Sequence, residues 1–357
     1  MKRQRWVTAG LCFMLLLCSG CMDIVELREQ TFIVGLGIDQ AEDNLIEVSL
    51  TEINLQNDGK EQASSDNPGK SRPYHVRTAK AKTISECFRI LRTEHFKQMT
   101  LSKVSFIVFG EALAKKGLDP FKDFVMRSNE IDLSVQMFVT EKRVKELFEA
   151  DNGVLLEFTT RGFQYLPTYI PSYLWKMLSQ ASSPLEATYL NRVRIDKGRI
   201  NFVGEAFMLM NQIKVILNFK ESRGVNILLD NKWKDIVLFI DDEETTSIQV
   251  KKVSRKERYT PSQVSMTYKV SGTILESHIQ HPIQNVNQLE KSGALHIEKK
   301  MTDLMKKATK EGVDLLGIGE TFRQRGWDTS DWQNQIQHLP IDVHVELNIV
   351  DGGAMID

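Results

Sequence analysis

The chain has 357 residues, and its 46 Lys and Arg against 47 Asp and Glu give a formal net charge of −1. This length allows two or three ordinary domains, and the near-neutral charge balance lacks the basic footprint that nucleic-acid binding requires. Beyond Cys21 no run approaches the roughly 20 apolar residues that a membrane-crossing helix needs. Length, charge and hydropathy therefore favour a chain of two or three ordinary domains over a nucleic-acid-binding or multi-pass membrane protein.

The N-terminus follows the pattern of a bacterial lipoprotein signal. Basic residues precede an apolar run over residues 7–17, which is too short to cross a bilayer as a helix but suits a secretory signal. The small residues Ser19 and Gly20, followed at once by Cys21, resemble a lipobox, although Cys18 stands where leucine is usual. An ordinary signal peptide or an uncleaved anchor is the alternative interpretation.

Cysteine usage is consistent with this interpretation. We expect residues 1–20 to leave as the signal peptide and Cys21 to carry a covalent lipid that tethers the exported chain to a membrane. Cys12 and Cys18 leave with the signal, so Cys87 is the remaining thiol and no internal disulfide forms. Cys87 lies on the apolar side of a predicted helix, where a buried thiol acts as a small hydrophobe.

The N-terminal region, residues 21–191, alternates strand and helix patterns. Residues 33–38 predict a buried strand, and residues 46–50 alternate as a half-buried one. Residues 56–73 are nearly all polar, Gly or Pro, which predicts a mobile loop, with a partner-recognition loop as the alternative. Residues 83–86, Thr-Ile-Ser-Glu, fit a capping box at the start of a helix.

More elements follow before the middle of the chain. Residues 104–109 predict a strand, and Asp119 with Pro120 predicts the N-cap and first residue of a helix. Residues 133–139 alternate as another strand. The aromatic stretch 158–174 is either a packed loop between domains or an exposed docking surface.

The C-terminal region, residues 192–357, has the same mixed character. Residues 200–219 predict a hairpin, and residues 264–274 and 341–349 alternate as strands. The longest helix is expected near 286–310, with an apolar stripe and a lysine-rich outer face that is either solvated or in contact with lipid headgroups. We therefore predict an α+β fold of two or three domains, each a mainly antiparallel or mixed β-sheet flanked by helices.

Fragments of catalytic and nucleotide-binding motifs all fall short. Residues 35–37 and 317–319, both Gly-x-Gly, lack the third glycine of a dinucleotide fingerprint, and residues 69–71, Gly-Lys-Ser, lack the first glycine of a phosphate-binding loop. His278 and His281 follow a strand pattern, although three-residue spacing converges two metal ligands most readily on a helix. We expect no catalytic residues, no metal and no enzymatic activity.

Seven segments in chain order, spread over nearly the whole sequence, carry a family resemblance. They are Cys21-Met22-Asp23, Glu26-Leu27, Val34–Asp39, Ile107–Leu118, Gly204–Phe207, Glu221–Gly224 and Gly312–Glu320. The chain thereby resembles the Ger(x)C lipoproteins, the C subunits of nutrient germinant receptors in endospore-forming bacteria. Met22 departs from the tryptophan usual there, and residues 351–353 replace an Arg-x-x-Gly-like ending.

The resemblance implies a non-enzymatic subunit that assembles with a multi-pass A subunit and a transporter-like B subunit. It implies a location on the outer face of the cell membrane or spore inner membrane, held there through the lipid on Cys21, and assigns no catalytic or metal-binding residue. It also gives the two Gly-x-Gly pairs a role in close backbone packing. A solute-binding lipoprotein of a transporter, or a wall-acting hydrolase, would be the alternatives.

Overall fold

The fold is taken from a computed structural model, which describes most of the chain in segments. The described residues are 30–53, 74–94, 97–151, 153–161, 170–180, 183–197, 199–222, 236–241, 243, 245–277 and 286–351. Several sequence predictions therefore lie outside the described residues: the signal peptide 1–20, lipidation at Cys21, the loop 56–73, the Gly-Lys-Ser at 69–71, and His278 with His281.

Two sheets organise the described residues. Nine strands form the first sheet: β1 Gln30–Gln40, β2 Ile46–Ile53, β3 Tyr74–Ala81, β4 Gln98–Thr100, β5 Phe106–Gly110, β6 Gln136–Thr140, β7 Thr188–Asp196, β8 Arg199–Leu209 and β9 Gln212–Ile216. Four strands form the second sheet: β10 Ile236–Phe239, β11 Ser247–Thr260, β12 Gln263–Glu276 and β13 Ile341–Asp351. The helices are α1 Ile84–Thr93, α2 Glu111–Lys116, α3 Asp119–Ser128, α4 Val144–Ala150, α5 Val154–Arg161, α6 Leu174–Gln180, α7 Val286–Lys310, α8 Ile318–Gln324 and α9 Trp332–His338.

The first sheet has a parallel centre with antiparallel flanks. Its order is β3-β2-β1-β5-β6-β7-β8-β9, and β4 pairs with the first residues of β1. The neighbours β1, β5, β6 and β7 run parallel, while β2, β3, β8 and β9 join through antiparallel pairings. Parallel strands need covered faces, so this topology demands helices on both sides.

Strand β5 shows how both faces are covered. Phe106 and Val108 point to one face, where they pack with residues of α4 and α5. Ile107 and Phe109 point to the other face, where they pack with residues of α1, α2 and α3. Alternating side chains therefore feed two separate hydrophobic cores, and the strand reads in sequence as a continuous apolar run.

Helix α1 begins as the sequence predicts. The Thr83 hydroxyl accepts a hydrogen bond from the Glu86 N–H at 3.2 Å, and Cys87 is fully buried. The reciprocal half of the capping box is replaced, because the Glu86 carboxylate pairs with Arg89 at 2.6 Å. Burial of Cys87 confirms the prediction of a thiol that packs as a hydrophobe.

The second sheet rests on the long helix. Strands β10, β11 and β12 pair antiparallel, whereas β13 pairs parallel with β12 across the crossover that contains α7. The helix occupies Val286–Lys310, the range that the sequence predicts, and buries its apolar stripe against the sheet. Two mixed sheets flanked by helices confirm the predicted α+β fold class.

Two local predictions differ from the structure. Helix α3 has Leu118 at its N-cap, and Asp119 is instead its first residue, accepting a hydrogen bond from Asn211 at 2.8 Å. Leu133 is exposed because it lies in a turn before β6, which begins only at Gln136. Residue 192, where the sequence analysis divides the chain, lies inside β7, and β8 and β9 are hydrogen-bonded to the first sheet. Periodicity identifies strands but does not state their partners.

Candidate functional site

The first Gly-x-Gly motif lies inside strand β1. A bulge interrupts the pairing between Ile33 and Gly35, and a Cβ added at Gly37 would overlap Val144 and Phe148. Helix α4 therefore packs directly on the backbone of β1, as close approach at glycine requires. A strand position does not present N–H groups to a pyrophosphate, so the dinucleotide interpretation fails on geometry as well as on sequence.

Asp39 ends this motif and anchors α4. Its carboxylate accepts a hydrogen bond from the Val144 N–H, the first residue of the helix, at 2.6 Å. Burial raises the pKa of Asp39 to about 6; the Val144 N–H opposes this shift, Glu47 adds to it and Arg143 opposes it. A Cβ at Gly110 would overlap the Asp39 carboxylate, so that position also needs glycine.

Charged side chains cluster at the carboxyl ends of the parallel strands. Arg143 pairs with Glu47, and Arg192 on β7 pairs with Glu141 and, at 3.2 Å, with Glu111. Ligands of open α/β sheets bind at this edge. Here the charges neutralise one another, and the Arg192 side chain is only 10% exposed. The arrangement stabilises the strand ends rather than presenting an unpaired charge to a substrate.

The second motif, Gly312–Glu320, is built around a fully buried carboxylate. Asp314 accepts hydrogen bonds from the Leu316 N–H at 3.1 Å, the Gly319 N–H at 2.8 Å and the indole N–H of Trp332 at 3.2 Å. Burial raises the pKa of Asp314 to about 6, and these donors oppose the shift. A Cβ at Gly319 would lie 2.6 Å from the Trp332 ring.

This geometry assigns the motif to the architecture of the chain. Gly317 adopts a left-handed conformation with φ of 67° just before α8, which glycine accepts readily. The Gly319 N–H that a phosphate would need is already bound by Asp314. Gly35, Gly37 and Gly319 therefore serve close packing and Gly317 a left-handed turn, in agreement with the role that the resemblance implies.

A third buried carboxylate lies in the segment Gly204–Phe207. A Cβ at Gly204 would overlap the carbonyl oxygen of Leu217, and Glu205 beside it is buried. Burial raises the pKa of Glu205 to about 7, and a hydrogen bond with Ser222 opposes that shift. Phe207 follows two residues after Glu205 on β8, and its side chain belongs to the hydrophobic core of the second sheet.

One cleft of about 490 Å³ opens between α7 and strand β10. Its floor is apolar, with Met301 and Leu304, and its rim carries Lys300, Asp303 and Lys307. Across the parts of the chain that the structure describes, no group of three or more His, Cys, Asp or Glu side chains could hold a metal ion. Nor does any helix among those residues combine the length and apolarity needed to span a membrane.

Sequence reasoning missed two kinds of residue. Trp332 and Arg192 lie far in sequence from the carboxylates that they contact, and no spacing rule connects them. Exposed apolar residues such as Ile53 and Trp175 were likewise invisible, because exposure depends on which neighbours the fold supplies. The sequence signal that points to these carboxylates is the family resemblance, since two of its segments contain Asp39 and Asp314.

Comparison with known proteins agrees with this architecture. The crystal structure of the GerBC protein superposes with a TM-score of 0.57 at 14% identity, covering 92% of this chain and 100% of that one. The chain thus has a two-sheet α+β fold similar to that of the GerBC protein. Two family models match in succession: the spore germination protein N-terminal domain over residues 23–195, and the spore germination B3/GerAC-like C-terminal domain over residues 206–353.

Curated relatives carry the same description. Spore germination protein KC of Bacillus subtilis (strain 168) is 23% identical, covering 98% of this chain and 96% of that protein. The putative spore germination protein YfkR of the same organism is 20% identical over 95% of this chain and 94% of its own length. Spore germination protein GerQC of Bacillus cereus is 19% identical over 72% and 76%. The chain belongs to the Ger(x)C family of spore germination proteins.

Proposed function

We propose that this chain is a non-enzymatic, lipid-anchored C subunit of a nutrient germinant receptor. In this proposal Cys21 carries the lipid, and the protein lies on the outer face of the cell membrane or spore inner membrane. There it assembles with membrane-embedded A and B subunits and is needed for germination in response to nutrients. Family membership over both halves of the chain is the observation that carries the proposal.

The residues themselves support an assembly role over catalysis. Two of the buried carboxylates whose pKa is raised, Asp39 and Asp314, bind backbone N–H groups at helix starts, which is a structural use of a buried acid. At the carboxyl edge of the first sheet, the Arg192 guanidinium pairs with the carboxylates of Glu111 and Glu141. Large mixed sheets with structural motifs are suited to holding surfaces in fixed positions for partners.

The tether contributes to assembly through concentration. A lipid on Cys21 would confine the chain to two dimensions, which raises its effective concentration beside membrane-embedded partners. Each buried CH₂ of an acyl chain contributes about 0.8 kcal/mol, so two chains on one cysteine give a stable anchor. Loss of the anchor should therefore weaken assembly even when every protein contact is intact.

The test compares two cysteine variants of the full-length protein expressed in the spore former. Cys21→Ala should move the protein from the membrane fraction to the soluble fraction and slow nutrient-triggered germination severalfold, because its concentration at the partners falls. Cys12→Ala is the matched control, since it alters a cysteine of the signal outside the lipobox and should leave both readouts unchanged. Full membrane retention and normal germination in Cys21→Ala would overturn the anchor.

Partner identity is tested with the same material. A detergent pull-down of tagged full-length protein from spore inner membrane should recover a multi-pass A-type and a transporter-like B-type subunit. Recovery of a transporter permease instead would favour a solute-binding lipoprotein, a function for which the cleft beside α7 would be the place to seek the ligand. Germination that proceeds normally without the chain would contradict the receptor role.

A further inference from the structure

The amino end of β1 is the described part of the first sheet that lies nearest in sequence to the proposed anchor. Strand β1 begins at Gln30, nine residues after Cys21. A fully extended chain rises at most 3.3–3.6 Å per residue, so these residues reach no farther than about 30 Å. With a lipid on Cys21, an assignment that rests on the proposed function, the start of β1 stays within that distance of the bilayer.

Three exposed apolar side chains lie at this same end of the sheet. Ile53 ends β2, where the antiparallel register pairs Glu52 with Ile33. Leu133 lies in the turn before β6, whose first residue, Gln136, is joined through Phe106 of β5 to Gly35 of β1. Leu133 therefore lies at the end of the sheet where the parallel strands begin. The Trp175 N–H donates a hydrogen bond to the carbonyl oxygen of Leu133 at 2.9 Å.

We name Ile53, Leu133 and Trp175 the apolar rim. Their exposed fractions are 37%, 50% and 51%. Other large apolar side chains, such as Met126 and Leu275, are as exposed, so what distinguishes these three is their common position at the end of the sheet where β1 begins. Neighbouring strands lie about 4.8 Å apart, and the three spacings in the order β2-β1-β5-β6 therefore spread the rim over roughly 15 Å of the sheet edge. The rim forms a line across the end of the sheet that carries the N-terminus.

The chemistry of the rim fits a bilayer surface. Tryptophan concentrates at membrane–water interfaces because its ring is apolar and its N–H is polar. Exposed charges beside the rim have both signs: Lys103 precedes β5, and Asp132 adjoins Leu133 with its carboxylate bound to the Ser134 N–H at 2.7 Å. Attraction to lipid would therefore come from apolar burial rather than from a basic patch.

We propose that the apolar rim rests on the same bilayer leaflet that holds the lipid of Cys21, with Leu133 and Trp175 at the boundary of headgroups and acyl chains. The tether makes this contact intramolecular, so a small apolar surface is enough to orient the protein. The parallel strands then stand with their amino ends toward the membrane and their carboxyl ends, with Asp39 and Arg192, away from it. That orientation decides which surfaces can meet a membrane-embedded partner.

The lysine-rich face of α7 is the competing membrane contact. That helix also carries acidic residues: Glu298 binds the backbone N–H of Val345 at 3.1 Å, and Lys307 pairs with Glu221 at 2.7 Å. Leu295 on the same helix is 65% exposed and matches Leu133 in size and chemistry. It therefore offers a control position on the other sheet's helix.

The experiment places one fluorophore on the full-length, lipid-anchored protein. Cys87→Ala removes the buried thiol, and Leu133→Cys or Leu295→Cys supplies a single site for an environment-sensitive dye. The proteins are reconstituted in vesicles of phosphatidylglycerol and phosphatidylethanolamine that contain a nitroxide-labelled acyl chain. The label at position 133 should be blue-shifted and quenched severalfold more than the label at 295. Both positions are exposed, so unchanged denaturation midpoints should accompany either substitution.

Flotation of the vesicles separates failure of the anchor from failure of the orientation. Protein that does not float with vesicles lacks the anchor, which overturns the proposed function together with this inference. Protein that floats but is quenched equally at both positions, or more at 295, overturns the orientation alone. Floating protein with no quenching at either site also overturns it, since the rim then faces protein or water. Stronger quenching at 133 supports it.

Discussion

The two Gly-x-Gly motifs solve the same packing problem with different electrostatics. In each, glycine lets another element lie against the backbone, and a nearby aspartate binds an N–H at or near the start of a helix. Asp314 is surrounded by N–H donors, whereas Asp39 accepts one N–H and otherwise faces charged groups, Glu47 and Arg143. N–H dipoles thus surround the buried Asp314 carboxylate, whereas the Asp39 carboxylate lies in a network of charged side chains.

The difference predicts how each site responds to change. A carboxylate held by several N–H groups leaves several buried donors unpaired when it is removed, and each such donor costs free energy. A carboxylate in a charge network loses less, because neighbouring charges rearrange and one acceptor can be replaced by an amide. Stability should therefore depend more on the Asp314 side chain, whereas at Asp39 an amide can replace the carboxylate to test its pH dependence.

The largest expected effect is that of Asp314→Ala. It leaves the N–H groups of Leu316, Gly319 and Trp332 without their acceptor, and a buried donor left unpaired costs about 1–3 kcal/mol. We expect the free energy of unfolding to fall by about 3–5 kcal/mol, measured by urea denaturation with tryptophan fluorescence. Asp303→Ala, an exposed change on α7, is the control and should leave the midpoint unchanged.

A loss no greater than that of the exposed control would contradict this account of Asp314. It would mean that water or other acceptors satisfy the three donors, and the motif would then be held by packing of Trp332 alone.

A smaller effect is expected from Gly319→Ala, which tests the packing half of the comparison. The new methyl group would lie 2.6 Å from the Trp332 ring, and overpacking of this kind typically costs about 1–3 kcal/mol. Because the clash is with one side chain, Trp332→Leu in the same chain should recover part of the loss. Urea denaturation of the single and double variants measures the coupling energy between Gly319 and Trp332. If the losses in the free energy of unfolding are strictly additive, the new methyl group does not clash with Trp332.

Much of the fold was accessible from sequence because its signals are local. The capping residues 83–86 start α1, and the apolar stripe of α7 gives its full length. The parallel pairing of β13 with β12 and the place of β7–β9 in the first sheet were not accessible. Strand partners depend on long-range contacts, which an alternating pattern leaves unspecified.

The candidate sites show the same limit. Glycine pairs beside Asp39 and Asp314 could be recognised as packing motifs, since glycine permits close approach whatever its partner. That Trp332 is the partner of Gly319 follows only from the placement of α9, which brings together residues far apart in sequence. The apolar rim was hidden for the same reason, because Leu133 fits an alternating strand until a turn exposes it.

The smallest effect is the pH dependence of Asp39→Asn. Folding raises the pKa of Asp39 from 3.8 to about 6, so the folded state binds its proton more tightly than the unfolded state does. The resulting stabilisation is full below pH 3.8 and is lost as pH rises through about 6. From pH 7.5 to 5 the wild-type chain should gain about 1 kcal/mol relative to the variant, since one pKa unit corresponds to 1.36 kcal/mol.

Asparagine keeps an oxygen to accept the Val144 N–H but cannot titrate, so urea denaturation at the two pH values isolates the charge of Asp39. The exposed Asp342→Asn is the control and should keep the wild-type slope. If Asp39→Asn also keeps the wild-type slope of stability against pH, the effect of Arg143 on the Asp39 pKa cancels that of burial. The Asp39 carboxyl then stays ionised near its ordinary pKa. Asp39 would then belong wholly to the charge network at the strand ends, which would sharpen its contrast with Asp314.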